Sequence, residues 1–138
     1  MPLDALAGSR RPAGSCSAEL LPYLRERESE PWGLDLSLSL TINGEVLTRP
    51  PFASMFWSPA QMLAHLTVNG ASVRAGDLFA SGTVSGPGAD EVGSLLELHR
   101  GETFLDDGDE VVISGWARGA DGTAISIGDV RGVVLPND

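Results

Sequence analysis

Glu97 and Thr83 are the residues of this chain whose type and setting best suit chemistry. Glu97 is the only charged side chain between Glu91 and His99, set in the run Gly-Ser-Leu-Leu-Glu-Leu that ends at Leu98. A carboxylate isolated in apolar sequence can orient a base or a water; it can equally be an ordinary outward-facing strand glutamate. Thr83 stands in Ser-Gly-Thr-Val-Ser-Gly-Pro, from Ser81 to Pro87. Its hydroxyl can bind a carbonyl or carboxylate oxygen, or it can cap a turn. The neighbouring glycines let a ligand come close to the backbone. Pattern alone leaves both residues open.

Other reactive types are scarce. His65 lies between Ala64 and Leu66 in a helical pattern, where a packed or partly exposed imidazole is the ordinary reading. His99 closes Leu-Leu-Glu-Leu-His beside Arg100-Gly101, a surface setting. No zinc-type spacing of His or Cys is present. Glu26, Glu28 and Glu30 alternate in a Pro-flanked charge run, which lacks the rigid framework a metal site needs and reads as solvated. Cys16 is the single cysteine, so an internal disulfide is excluded and a reducing cytoplasm is expected. The chain has no lysine, which rules out Schiff-base chemistry from its own side chains.

The elements that must position Thr83 and Glu97 follow from periodicity. The chain of 138 residues fits one domain or a piece of a larger one. Residues 1–33 are broken by Pro and Gly and read as irregular. Leu34, Leu36, Leu38, Leu40 and Ile42 alternate with polar residues, a half-buried strand ending at Asn43-Gly44, with "EVLTR" returning as hairpin partner. Ser58, Pro59 and Gly70 bracket one helix with a buried stripe of Met62, Leu63, Leu66 and Trp57. Strands are expected at "DLFASGT", "SLLELH", "DEVVISGWA" and "AISIGDVRGVVLP". Strand alternation in "SLLELH" would put Leu96 and Leu98 on one face and Leu95, Glu97 and His99 on the other. The expected fold is mostly β (α+β), a sheet or roll with one packed helix over about 58–69.

A formal charge of −10 without a compact basic cluster argues against nucleic acid and anionic lipid as partners. No apolar run approaches the ~18 residues of a membrane span. The N-terminus lacks the basic-then-apolar order of a signal peptide.

Taken together, "MPLDAL", "PYL", "LDLSLSL", "MFWSPAQMLAHLTVNG", "RAGDLFASGTVSGP", "GSLLEL", "FLDDGDEVVISG" and "GVVLP" resemble the fumarylacetoacetase family, in that family's order and over almost the whole chain. The resemblance implies the mixed β-sandwich roll of that family's C-terminal domain. It implies hydrolysis of a carbon–carbon bond in 4-fumarylacetoacetate to fumarate and acetoacetate, the last step of tyrosine and phenylalanine catabolism. A divalent metal, Mg²⁺ or Ca²⁺, would polarise the dicarbonyl unit while a histidine activates water. By the same resemblance Thr83 matches the substrate-binding threonine and Glu97 the glutamate that pairs with the catalytic histidine. A small dicarboxylate substrate and a homodimer are implied as partners.

The departures are as informative. The catalytic histidine and the metal-binding acidic residues of the family have no match here: neither His65 nor His99 takes the base's place, and the Glu26/Glu28 pair does not match the metal ligands. Residues 1–138 therefore resemble the C-terminal part of the catalytic domain, expected to be inactive alone. Two other readings stand beside it. One is an acylpyruvate hydrolase or β-keto acid decarboxylase of the same superfamily; the other is a non-catalytic β-rich binding module.

Overall fold

The computed structural model describes residues 3–14, 19–27 and 29–137, so Cys16 and Glu28 lie outside the described residues. The alternating leucines form strand β3 (Leu36–Ile42), and the return strand is β4 (Glu45–Thr48). Between them Asn43 and Gly44 both take positive φ, at 51° and 83°, the conformation that matches the twist of a two-residue hairpin. The Asn43 side chain then ties this turn to the next strand. Its Nδ2 donates to Asp109 at 2.8 Å and its Oδ1 accepts from the Glu110 N–H at 2.9 Å. Strands β5 (Glu110–Arg118) and β6 (Ala124–Val133) complete a four-stranded sheet in the order β4-β3-β5-β6. Short strands β1 (Arg10–Arg11) and β2 (Gly33–Leu34) form a second sheet. Every pairing within the two sheets is antiparallel, and the expected mostly-β, α+β fold is borne out.

Register puts Leu36 opposite Ala117, Leu38 opposite Gly115 and Leu40 opposite Ile113, so the leucine face of β3 is continuous with one face of β5. Leu6, from a 3-10 turn over Leu3–Ser9, covers one end of that face and joins Leu36 and Ala117 in the core, with Phe52 and Ile125 packed around them. Ser9, 2% exposed, locks this turn to β5. Its hydroxyl donates to the Arg118 carbonyl at 2.9 Å and accepts from the Arg118 N–H at 2.6 Å. The other end of the face is open: Ile113 and Val130 are exposed. The chain exposes 9707 Å² in all, against about 6,800 Å² expected of a compact monomer of its mass.

The helix α1 (Pro59–Thr67) forms where expected. Ser58 caps it in a complete capping box with Gln61, Pro59 occupies the first turn, and Gly70 follows at φ 88°. Its expected buried stripe is corrected: Leu63, Leu66 and Trp57 are exposed, and Gln61 is the buried residue. The helix docks by its polar N-terminus instead. Gln61 Nε2 donates to the Leu24 carbonyl at 2.8 Å, and the Ser58 hydroxyl donates to Glu26. Glu26 is thus a half-buried acceptor rather than a solvated charge.

Two expected strands are absent. "DLFASGT" has no regular structure and Leu78 is 94% exposed, because no strand among the described residues lies beside it to accept its backbone hydrogen bonds. "SLLELH" is a short helix, α2 (Leu95–His99), capped by Ser94, whose hydroxyl accepts from the Glu97 N–H at 3.3 Å. A cap three residues ahead of a glutamate favours a helical turn over extension, so the strand alternation expected for Leu95, Glu97 and His99 does not hold.

Candidate functional site

The segment from Ser81 to His99 is a loop that turns back on itself and then enters α2. Its closure is made by backbone: the Gly86 N–H donates to the Glu91 carbonyl at 2.8 Å, and the Glu91 N–H donates to the Gly88 carbonyl at 3.1 Å. The loop is fastened to the sheet side of the molecule at two points. Ser54 Oγ donates to the Ser85 carbonyl at 2.7 Å, and the Arg49 N–H donates to the Asp90 carbonyl at 2.7 Å. With both anchors in place, Thr83, Val84 and Gly93 face Leu38, Leu40, Thr48, Pro50 and Ile113 across a cleft of about 270 Å³. Thr83 is exposed, and its hydroxyl makes no hydrogen bond among the described residues.

Glu97 stands behind this wall at the start of α2. Its Oε2 accepts from Ser85 Oγ at 2.6 Å and from the Gly93 N–H at 3.1 Å. The Gly93 N–H also reaches Ser85 Oγ at 3.1 Å, which closes a three-membered ring. Each of these donors favours the ionised carboxylate. The Ser85 hydroxyl, followed by the Gly93 N–H, holds the Glu97 carboxyl below its usual value despite some opposing desolvation. Gly93 therefore links the two residues: its N–H serves Glu97 while its Cα packs against Thr83 and Val84.

The structure thus brings Thr83 and Glu97 to neighbouring positions on one loop, with Gly93 between them. It does not bring the histidines to Glu97. His65 is exposed on α1, where Tyr23 stacks on it and the two rings hydrogen-bond through Nδ1 at 3.1 Å. They line a separate, mainly apolar cleft of about 330 Å³ with Leu21, Trp57 and Met62. His99, half-buried, ends α2, and Arg100 follows it in the left-handed conformation at φ 51°. Neither imidazole is hydrogen-bonded to Glu97 among the described residues.

Sequence reasoning missed Ser85 and Gly93. One signal for them was present: Ser94 and Glu97 have the Ser-x-x-Glu spacing of a helix start, which turns the glutamate back toward the preceding backbone. A divalent metal does not fit the residues described. Among them no group of three or more His, Cys, Asp or Glu side chains converges, and Glu97 spends one oxygen on Ser85 and Gly93. No helix of the described residues is long and apolar enough to cross a membrane.

Residues 7–135 match the family described as the fumarylacetoacetate (FAA) hydrolase C-terminal domain. The chain belongs to that family. It is 40% identical to the fumarylacetoacetase of Homo sapiens over 154 aligned positions, covering 99% of this chain and 36% of the human protein. The Arabidopsis thaliana fumarylacetoacetase is 38% identical, with 98% of this chain and 35% of the relative covered. For the Caenorhabditis elegans fumarylacetoacetase the figures are 42% identity, 79% of this chain and 30% of the relative. The chain spans about a third of the length of these relatives.

Proposed function

We propose that residues 1–138 are the C-terminal part of a fumarylacetoacetase-like catalytic domain and supply one wall of its active site. The reaction is hydrolysis of the carbon–carbon bond between the two carbonyl-bearing halves of 4-fumarylacetoacetate, giving fumarate and acetoacetate in tyrosine and phenylalanine breakdown. The observation that supports this most directly is the loop from Thr83 to Glu97. It sets Thr83, whose exposed side chain makes no hydrogen bond among the described residues, on an open cleft and holds an ionised carboxylate nearby, the two linked through Gly93.

In this reading Thr83 binds a substrate oxygen. Glu97 accepts a hydrogen bond from the imidazole that activates water, fixing its tautomer and stabilising the imidazolium as it takes the proton. That imidazole is neither His65 nor His99. The ligands of the divalent metal, Mg²⁺ or Ca²⁺, are likewise not among the described residues, so the 138-residue chain alone should not turn the substrate over. The complete enzyme is proposed to be a cytoplasmic homodimer acting on a small dicarboxylate.

The test is kinetic, in a complete enzyme carrying this segment at its C-terminus. Glu97→Gln keeps the shape and loses the charge, and should lower kcat on the order of 10²–10³-fold with little change in KM. Thr83→Val should raise KM at least as clearly as it lowers kcat. A Glu97→Gln enzyme with near-normal kcat would reduce Glu97 to an ordinary helix-start glutamate. A preference for an acylpyruvate over fumarylacetoacetate would move the enzyme to a sister activity.

A further inference from the structure

The two oxygens of Glu97 are treated unequally. Oε2 accepts from Ser85 Oγ and from the Gly93 N–H, whereas no donor among the described residues makes a hydrogen bond of ordinary geometry to Oε1; the Ser94 N–H lies near enough to the carboxyl to add a smaller contribution to its charged form. The direction of the Ser85 hydroxyl is fixed by its own neighbour. Because an ionised carboxylate can only accept, the single hydroxyl proton points at Glu97, while the Gly93 N–H at 3.1 Å takes a lone pair of Oγ. Ser85 is itself held, since its carbonyl accepts from Ser54 Oγ at 2.7 Å and the next residue's N–H pairs with the Glu91 carbonyl. A glutamate's last torsion is broad and nearly two-fold, so an unanchored carboxylate turns readily. Although Glu97 is exposed, donors from two directions at one oxygen favour a single plane for its carboxylate.

We propose that Ser85 is the positioning residue of Glu97: its hydroxyl holds Oε2 so that Oε1 is the acceptor presented to the active-site base. This rests on the reading of Glu97 given above and goes beyond it, because that reading leaves open which oxygen acts and what aims it. Ser85 does not touch the reacting atoms; it works through the carboxylate. Donation to the charged form also keeps Glu97 ionised, which an acceptor for an imidazolium requires.

Two measurements test it. In the first, carbon-13 NMR follows the titration of the Glu97 carboxyl in the complete enzyme carrying this segment, with Ser85→Ala and Ser85→Thr as variants. Removing the hydroxyl should raise the Glu97 pKa toward its usual value, and threonine, which keeps the hydroxyl, should restore it. A Ser85→Ala variant whose Glu97 titrates as in the wild type overturns the proposal whatever its activity. In the second, the same variants are assayed in the complete enzyme. Ser85→Ala should lower kcat on the order of 10-fold, the value of one hydrogen bond to a charged group, with KM little changed and activity rescued by threonine. If Glu97→Gln slows kcat and Ser85→Ala does not, the positioning role falls and the proposed function stands. If neither variant slows kcat, the catalytic reading of Glu97 itself falls.

Discussion

Gly93 packs so closely on Thr83 that a β-carbon built there would stand 2.6 Å from Thr83 Cγ2, and closer still to the Val84 carbonyl oxygen. The same residue's N–H serves Glu97. Gly93→Ala should therefore destabilise the loop by about 1–3 kcal/mol, as overpacking does, and loosen the carboxylate with it. A urea midpoint and the Glu97 titration should move together. An alanine variant that changed neither would mean that the loop gives way freely at this point.

Thr48 is 2% exposed, and its hydroxyl has no hydrogen-bond partner among the described residues. A buried hydroxyl without a partner opposes folding, and valine has nearly the same shape without the polar atom. Thr48→Val is expected to raise stability by about 1 kcal/mol, read as an increase in the denaturation midpoint. A decrease would show that the hydroxyl is served in solution, for instance by a bound water.

The carboxyls of Glu97, Asp109 and Asp121 are all held below their usual values. The first cause is the Ser85 hydroxyl for Glu97, the Asn43 amide for Asp109 and the Thr123 hydroxyl for Asp121. A group whose pKa is lower folded than unfolded contributes stability above the unfolded value and loses it as pH falls through the folded one. Their contribution should be intact at neutral pH and fade once pH drops below the usual values of 4.5 for Glu97 and 3.8 for the aspartates. Denaturation midpoints measured down an acid series should fall across that window. Thr123→Val, which removes the leading cause at Asp121, should make the fall shallower.

The open end of the leucine face and the edge strand β6 leave apolar side chains in water, Val130 being 71% exposed. Such a face and edge favour self-association. The net charge of −10 opposes it and is screened by salt. Sedimentation should show the average mass of the isolated chain rising between low and high ionic strength. A monomer throughout the series would mean that the exposed face is harmless at these concentrations.

The parts of the fold legible in the sequence were those governed by a short period or a local cap. Leu36 to Ile42 alternate apolar and polar residues as a strand does, although only Leu36 is buried beside an exposed Ser37 and positions 38–42 are all half-buried, and Asn43-Gly44 could only turn tightly. Ser58 and Pro59 announced the helix start, and the structure adds Gln61, which completes the capping box. Periodicity shows which face of a helix is apolar but not what covers it, and for that reason Leu63 and Leu66 were expected to be buried. The apolar run at Leu95–Leu98 was too short to separate strand from helix by pattern, and Ser94 decided the matter. Glu97 was picked out as an isolated charge and Thr83 as a hydroxyl in a glycine- and serine-rich run. The ring that joins Ser85, Gly93 and Glu97 was not, because it belongs to an irregular loop in which no spacing repeats.

That ring has a consequence for how the molecule assembles itself in time. Its three hydrogen bonds link residues 12, 8 and 4 positions apart. A loop of about ten residues closes in roughly 10–100 ns, far ahead of distant strand pairing such as that of β3 with β5. The cradle of Glu97 can be sampled while the main sheet is still unmade, and it can re-form after each local opening without waiting for the rest of the chain.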